Sequence, residues 1–503
     1  MSRGERDWRR KGAVMLLTVL ALLFLLPLVG LAIDASLAFV VKAKLSAACD
    51  AASLAAARNL TVGLTLSEQA ASAQARALAF FDANFPVGYF TTRNRTRTAA
   101  VAETGFRTRT VSVMASVDAP VYFMGMLGYR YMTVRAEGRA SRRDINLILV
   151  LDRSSSMSAS GSCEPMKTAA RQFVTMFANG RDRLGLIVFG ASSILAFPPA
   201  QNFRTASPSM DTLIGQISCF GNTNMAQALS EGYNQLGIVN EPGALNIVVF
   251  FTDGLANGIT ARFPIKTQTN TLTDTRYGYG HSPYSSTGST YTMAPSTCQD
   301  DAGRTYPNAA WAPAAKTGVL AQWSGFASTG NTAGLINPTQ PLMTTTTEPA
   351  IADRAGCSFG SGTTDLDHVR RDIAYIPNQD VFGNNASCCY QTPQTFPSGA
   401  YLGFMRPDRP SSVGIASANA VDSAAGRMRS DTRLAPVIYT IGLGNPVTGE
   451  APDEVLMRRM SNDPTSPIYD NTKLDGLYVF AANSAELSMA FYRIASEVLR
   501  IAR

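Results

Sequence analysis

The chain has 503 residues, 46% of them hydrophobic and 16% charged, enough apolar material for more than one packed unit. Its formal charge of +7 comes from scattered cations with no long Lys/Arg block beyond the N-terminus, which argues against nucleic-acid binding. Only two histidines occur, His281 and His368, leaving little for a His-rich zinc site or His-based acid–base catalysis.

The first predicted element is a membrane span. The flank "RGERDWRRK" carries five cations and two acids, and residues 12–33, "GAVMLLTVLALLFLLPLVGLAI", carry no charge. A bilayer core takes about 20 apolar residues in helix. The basic flank keeps the N-terminus cytoplasmic and sends the bulk outward, to the periplasm or beyond. Pro27 is tolerated in such a helix. A cleaved signal peptide ending at Ala32 is the competing reading. The length of the run and the Ala-rich helix that continues it favour a retained single-pass anchor.

Residues 34–85 read as helix, with "SEQAASAQARALAFFDANF" as its second half or a second helix. "RTVSVMASVDAPVYFM" and "RYMTVRAEGRAS" alternate polar and apolar and read as strands. The expected organisation is therefore 1–33 as flank and span, 34–142 as a small α+β module of helix and strands, and 143–503 as a larger domain.

That domain is predicted to be α/β. "INLILVL" is a strand buried on both faces. Helix "EPMKTAARQFVTMFA", with Pro165 in its first turn, strand "RLGLIVF", helices "SMDTLIGQI" and "NMAQALSEGYNQL", and strand "NIVVFF" follow. Such alternation indicates a doubly wound parallel sheet. Residues 259–410 interrupt it with a Thr/Ser/Gly/Pro-rich insertion. Four cysteines and two tryptophans, Trp311 and Trp323, mark the insertion as an ordered lobe. The pattern resumes with "VGIASANAVDSAAGRMRS", "PVIYTIGLG", "DEVLMRRMSN", "GLYVFA" and a last helix, which the Asn483/Glu486 pair should cap.

Three loops of this domain carry chemistry. "LVLDRSSSMS" presents Asp152, Ser154 and Ser156, "GNTNM" presents Thr223, and "FTDGLAN" presents Asp253. In an extended loop alternate side chains point one way, so D-x-S-x-S can aim three oxygens at one point. In open α/β sheets ligands bind at the carboxyl ends of strands, where all three loops lie. Two carboxylates and three hydroxyls suit a hard divalent cation, Mg²⁺ first, with Mn²⁺ or Ca²⁺ as alternatives. Two charges leave the open side of such an ion able to take a carboxylate from a partner. No general base stands nearby, so recognition is expected rather than hydrolysis.

The order strand–DxSxS–helix, GNTN–helix, strand–TDG resembles the von Willebrand factor A (vWA) domain with its metal-ion-dependent adhesion site. That resemblance implies Asp152, Ser154, Ser156, Thr223 and Asp253 as site residues, the hydroxyls touching the metal and the aspartates often acting through water. The stretch from Lys11 to Ala57 resembles the N-terminal helix of TadG-like proteins of bacterial tight-adherence (Flp/Tad) pilus systems, which implies a pilin-like module over 34–142 and an anchor in a bacterial cytoplasmic membrane. A prepilin cleavage site needs Glu five residues after Gly; here Gly12 is followed at that offset by Leu17, which favours a retained anchor. A vWA fold should also bring Cys163 and Cys219 to the same sheet edge, where an oxidising compartment would bond them. The pairing of Cys298, Cys357, Cys388 and Cys389 stays open among three alternatives.

The expected function is a membrane-anchored, non-enzymatic binding protein. Its partner is a protein offering an acidic residue, such as a pilus or secretion component, and the insertion shapes its choice. A pilin-like structural subunit with an idle vWA fold, and an enzyme with chemistry in the insertion, are the alternatives.

Overall fold

A computed structural model describes residues 3–105, 107–241, 244–265, 298–304, 314–321, 334–339, 343–344, 357, 373, 375–391, 410–444 and 451–501. His281, His368, Trp311, Trp323 and most of the insertion lie outside these residues. The chain divides into two compact units between Arg143 and Asp144.

The first unit starts with one long helix, α1 (Arg3–Asn59), followed by α2 (Leu66–Asn84) and strands β1 (Arg93–Gly105), β2 (Thr108–Pro120) and β3 (Tyr131–Arg143). The break between the helices is set by a capping box: Glu68 N donates to Thr65 Oγ1 while Thr65 N donates to the Glu68 carboxylate. The second half of α1 buries Val41, Leu45, Ala48, Ala52 and Ala56, three or four residues apart, against α2 and the antiparallel sheet β1-β2-β3. From the sheet, Val111, Val113, Ala115 and Val117 of β2 alternate inward. Gly138 of β3 is required here, because a Cβ on it would lie 2.4 Å from the Cys49 carbonyl carbon. β1, "RNRTRTAAVAETG", is an edge strand with mostly exposed side chains, which explains why no apolar period announced it.

The second unit holds β4 (Ile145–Asp152), α3 (Ser155–Ala159), α4 (Cys163–Thr175), β5 (Arg183–Phe189), β6 (Ser193–Ala200), α5 (Met210–Gly215), α6 (Met225–Val239), β7 (Leu245–Thr252), β8 (Gly258–Pro264), β9 (Ala315–Ala321), α7 (Pro410–Ser430), β10 (Val437–Leu443), α8 (Glu454–Ser461), β11 (Tyr478–Ala481) and α9 (Leu487–Ile501). Six strands form one sheet in the order β11-β10-β7-β4-β5-β6. Every pair is parallel except β5–β6. The expected parallel sheet is thus mixed: β6, "SILAFPPA", adds an antiparallel edge, and its two prolines suit an edge and hid it in the sequence.

β4 and β7 are buried at every residue. Along β4, Ile148 and Val150 face one core with α6, α7 and α8, while Leu147, Leu149 and Leu151 face another with α4 and α9. The winding reverses beside β4: the chain steps out to β5 and β6, then returns to β7 on the other side. The carboxyl ends of β4 and β7 therefore meet at the switch point of the sheet. At the C-terminus Asn483 caps a 3₁₀ turn (Ser484–Glu486) ahead of α9 rather than α9 itself, accepting from Ala485 N.

In the described part of the insertion, β8 and β9 pair antiparallel, and Cys298 is bonded to Cys357 and Cys388 to Cys389. It packs on the sheet domain through Asn224 Nδ2, which donates to Thr260 Oγ1, and Gln227 Nε2, which donates to the Pro338 carbonyl.

Candidate functional site

The strand ends supply the carboxylates. Asp152 is the last residue of β4, and Asp253 directly follows Thr252, the last of β7; both aspartates are fully buried. Past β4 the chain turns sharply enough for Ser154 N to donate to Asp152 Oδ1 at 2.7 Å. That turn brings the Ser154 and Ser156 hydroxyls to 2.8 Å from each other. Ser156 Oγ donates to Asp253 Oδ1 at 2.6 Å and Ser154 Oγ does so at 3.3 Å. Thr223 arrives from the loop before α6, fixed by its N–H donating to Asn257 Oδ1 and by Asn257 N donating to its carbonyl. A Cβ on Gly254 would sit 3.6 Å from Thr223 Oγ1 and 3.7 Å from Ser156 Oγ, so both hydroxyls overlie that glycine. All five residues expected from sequence thus lie around one point at the switch of the sheet. Ser156 is only half-buried, and Leu255, two residues after Asp253, is exposed.

The two carboxylates of this cluster are electrostatically strained. Burial raises the Asp152 carboxyl above its ordinary range, and hydrogen bonds from Thr252 and Ser154 only partly offset it. Burial also raises Asp253, and the adjacent Asp152 charge raises it further. Asp253 Oδ2 is buried with no hydrogen-bond partner among the described residues, an arrangement that costs about 1–3 kcal/mol or more for a charged acceptor. Among the described residues no group of three or more His, Cys, Asp or Glu converges. Here two carboxylates and three hydroxyls do. They are all hard oxygen donors, and the unpartnered Oδ2 gives a divalent ion a ligand that nothing else uses. The residues present fit such an ion.

Residues that the sequence reading passed over hold the site in shape. Thr252 Oγ1 donates to Asp152 Oδ2 at 2.5 Å and so orients that carboxylate; its position just before Asp253 in "TDG" was the available signal. Arg153 N donates to the Phe189 carbonyl, and Phe220 N donates to the Arg153 carbonyl. Ser155 N donates to the Gly221 carbonyl, and Gly221 N to Ser155 Oγ, knitting the serine loop to the Thr223 loop. The Cys163–Cys219 disulfide, expected from the sequence and present here with Cα–Cα 6.1 Å, joins the same two segments one layer out. Met343 of the insertion accepts from Arg153 Nη1 and from Ser218 N, so the insertion touches the frame of the site.

Fold and site together define a vWA-type α/β domain: residues 147–255 match the von Willebrand factor type A domain family. Ahead of it, residues 12–59 match the Flp pilus-assembly TadE/G-like family. Solved structures similar to this chain include the vWF domain of the type V pili tip protein Mfa5 of Porphyromonas gingivalis, with 14% identity, TM-score 0.35, 72% of this chain and 98% of that one covered. They include the PilB minor pilin of Streptococcus sanguinis (12%, 0.32, 82% and 80%) and the pilus adhesin SpaC of Lactobacillus rhamnosus GG (11%, 0.31, 83% and 35%). No protein of curated function matches the chain.

Proposed function

We propose that this chain is a membrane-anchored, non-enzymatic binding protein that holds a divalent cation, Mg²⁺ first, at Asp152, Ser154, Ser156, Thr223 and Asp253. The ion takes a carboxylate from a protein partner as a further ligand. The observation that carries this reading is the buried, unpartnered Asp253 Oδ2 among converging hydroxyls at the open switch point. A bound ion satisfies that oxygen, offsets the repulsion between the two aspartates, and keeps residual charge on its exposed side. The match of residues 12–59 to a pilus-assembly family supports a setting in Flp/Tad pilus assembly or adhesion, with pilus or secretion components as partners. The exposed apolar first half of α1 supports a span with the bulk of the chain outside the cytoplasm: among the described residues it belongs to the one helix long and apolar enough to cross a membrane.

Thermal melting of the full chain in detergent tests the metal. A ligand bound only by the native state at 100 times its Kd adds about 2.7 kcal/mol. Mg²⁺ or Mn²⁺ should raise the melting temperature of the wild type and leave Asp152→Ala unmoved. Equal responses would remove the metal reading. Alkaline carbonate washing of membranes tests the anchor; release of the chain would support a cleaved leader instead.

A further inference from the structure

Within residues 14–33 of α1, every residue is exposed except Gly30. What covers Gly30 is the tip of the β2–β3 hairpin. A Cβ on Gly30 would lie 2.4 Å from Cγ of Phe123, so the ring packs directly on the helix backbone, and only glycine permits it. One turn further on, the buried Asp34 carboxylate accepts three backbone N–H groups from the same tip. Tyr122 N donates to Oδ1 at 2.8 Å, and Phe123 N and Met124 N donate to Oδ2 at 2.9 and 2.8 Å. These are the donors that open a 3₁₀ turn (Met124–Leu127), so one side chain satisfies them together. The hairpin tip is thus clamped to α1 at the last turn of its uncharged run.

The rest of the tip is unlike a soluble surface. Tyr122 and Tyr129 are each 62% exposed, and Phe123, Tyr131 and Met132 are exposed as well. Arg130 is exposed between Tyr129 and Tyr131, and the Arg93 guanidinium lies over the Tyr131 ring, 5.3 Å from its centroid. Amphipathic aromatics flanked by arginines are the side chains that settle at the headgroup level of a bilayer. Gly30 precedes Ile33 by three residues, about 4.5 Å of helix rise. That places the tip within the roughly 5–10 Å depth of an interfacial segment.

We propose that the β2–β3 hairpin tip, residues 121–132, is a second membrane contact, its aromatic side chains seated in the outward-facing headgroup layer of the same bilayer that α1 crosses. The proposal rests on the anchor reading above. It gives the first unit two points of attachment, a span and a lateral foot, which fix the tilt of α1 as a single helix could not.

Lipid quenching of tryptophan emission tests it on the full chain. Trp8→Phe removes the native tryptophan of the basic flank, and the residual emission of that background is subtracted from each variant. On that background Tyr129→Trp reports the tip, Tyr122→Trp repeats the report from the other side of the turn, and Leu22→Trp reports the span. Each is reconstituted in phosphatidylethanolamine/phosphatidylglycerol vesicles with and without brominated acyl chains. The expected result is an emission loss at both tip positions, as for interfacial aromatics, and a larger loss at Leu22→Trp. A quenched span with an unquenched tip overturns the hairpin proposal and leaves the anchor standing. A tip unquenched by lipid yet shielded from acrylamide also overturns it and assigns the tip to a protein partner. No quenching at any position ends both the anchor reading and the proposal.

Discussion

Two uncharged apolar runs in this chain each end in a buried aspartate, and the two ends are finished differently. Residues 12–33 lead to Asp34, and the run of β4 leads to Asp152. Side chains of the first run are exposed from Val14 to Val29, while every residue of β4 is buried. Length separates them: about 20 residues in helix match a bilayer, and the eight residues of β4 match a strand covered on both faces. The closing aspartates differ too. Asp34 receives three backbone N–H groups and is fully used inside the protein. Asp152 stands beside Asp253, whose second oxygen has no partner among the described residues. A buried carboxylate that is satisfied locks structure; one left unsatisfied carries an uncompensated desolvation cost.

Substitutions should affect the two runs very differently. Phe251→Ala, in β7 within the core shared with α9, should cost about 3–5 kcal/mol in thermal or denaturant unfolding. A cost below about 1 kcal/mol would mean that this face of the sheet is not packed. Cys163→Ser should lower stability by up to about 4 kcal/mol on the chain-entropy estimate for a loop of this size. It should also weaken cation binding, because the bond ties the serine and threonine loops together; unchanged melting under non-reducing conditions would deny the bond.

The aspartate pair should also show in the pH dependence. Asp253 has its carboxyl raised to about 7, by burial first and the Asp152 charge second. A raised folded-state value stabilises fully below the unfolded value of 3.8 and loses that contribution as pH rises through the folded value. In chelator, the wild type should therefore lose stability relative to Asp253→Asn between about pH 4 and 7, and Mg²⁺ should cancel the loss. Parallel pH curves for the two proteins would contradict the assignment. The smallest effect belongs to the other run: Leu23→Ala, 65% exposed, should shift unfolding in detergent by no more than about 0.5 kcal/mol. A core-sized loss would show that the residue is packed inside protein.

Much of this was legible in the sequence, for identifiable reasons. The apolar run of β4 and the aspartate and serines after it could be read because burial on both faces erases periodicity and the loop chemistry is local. Asp152, Ser154, Ser156 and Asp253 were readable as oxygen donors after strands and Thr223 as one just before a helix, and the structure brings them together. β1 was not legible, because a solvated edge strand has no apolar period. β6 was masked by Pro198 and Pro199. The role of Thr252 was missed because a lone threonine before an aspartate reads as an ordinary strand residue; only the fold places its hydroxyl on Asp152. The clamp between Asp34 and the hairpin joins positions 88 to 90 residues apart, a separation that local patterns do not encode.

The most direct measurement of the central claim is Mn²⁺ binding followed by electron paramagnetic resonance, with the full chain in detergent titrated against the free-ion signal. Wild-type protein should remove one equivalent of Mn²⁺ from solution per chain, Mg²⁺ should displace it, and Asp152→Ala and Asp253→Ala should each abolish the uptake while retaining the melting transition. Mn²⁺ uptake that is the same in wild type and both variants, or absent from all three, would contradict a cation site at the switch point of the sheet.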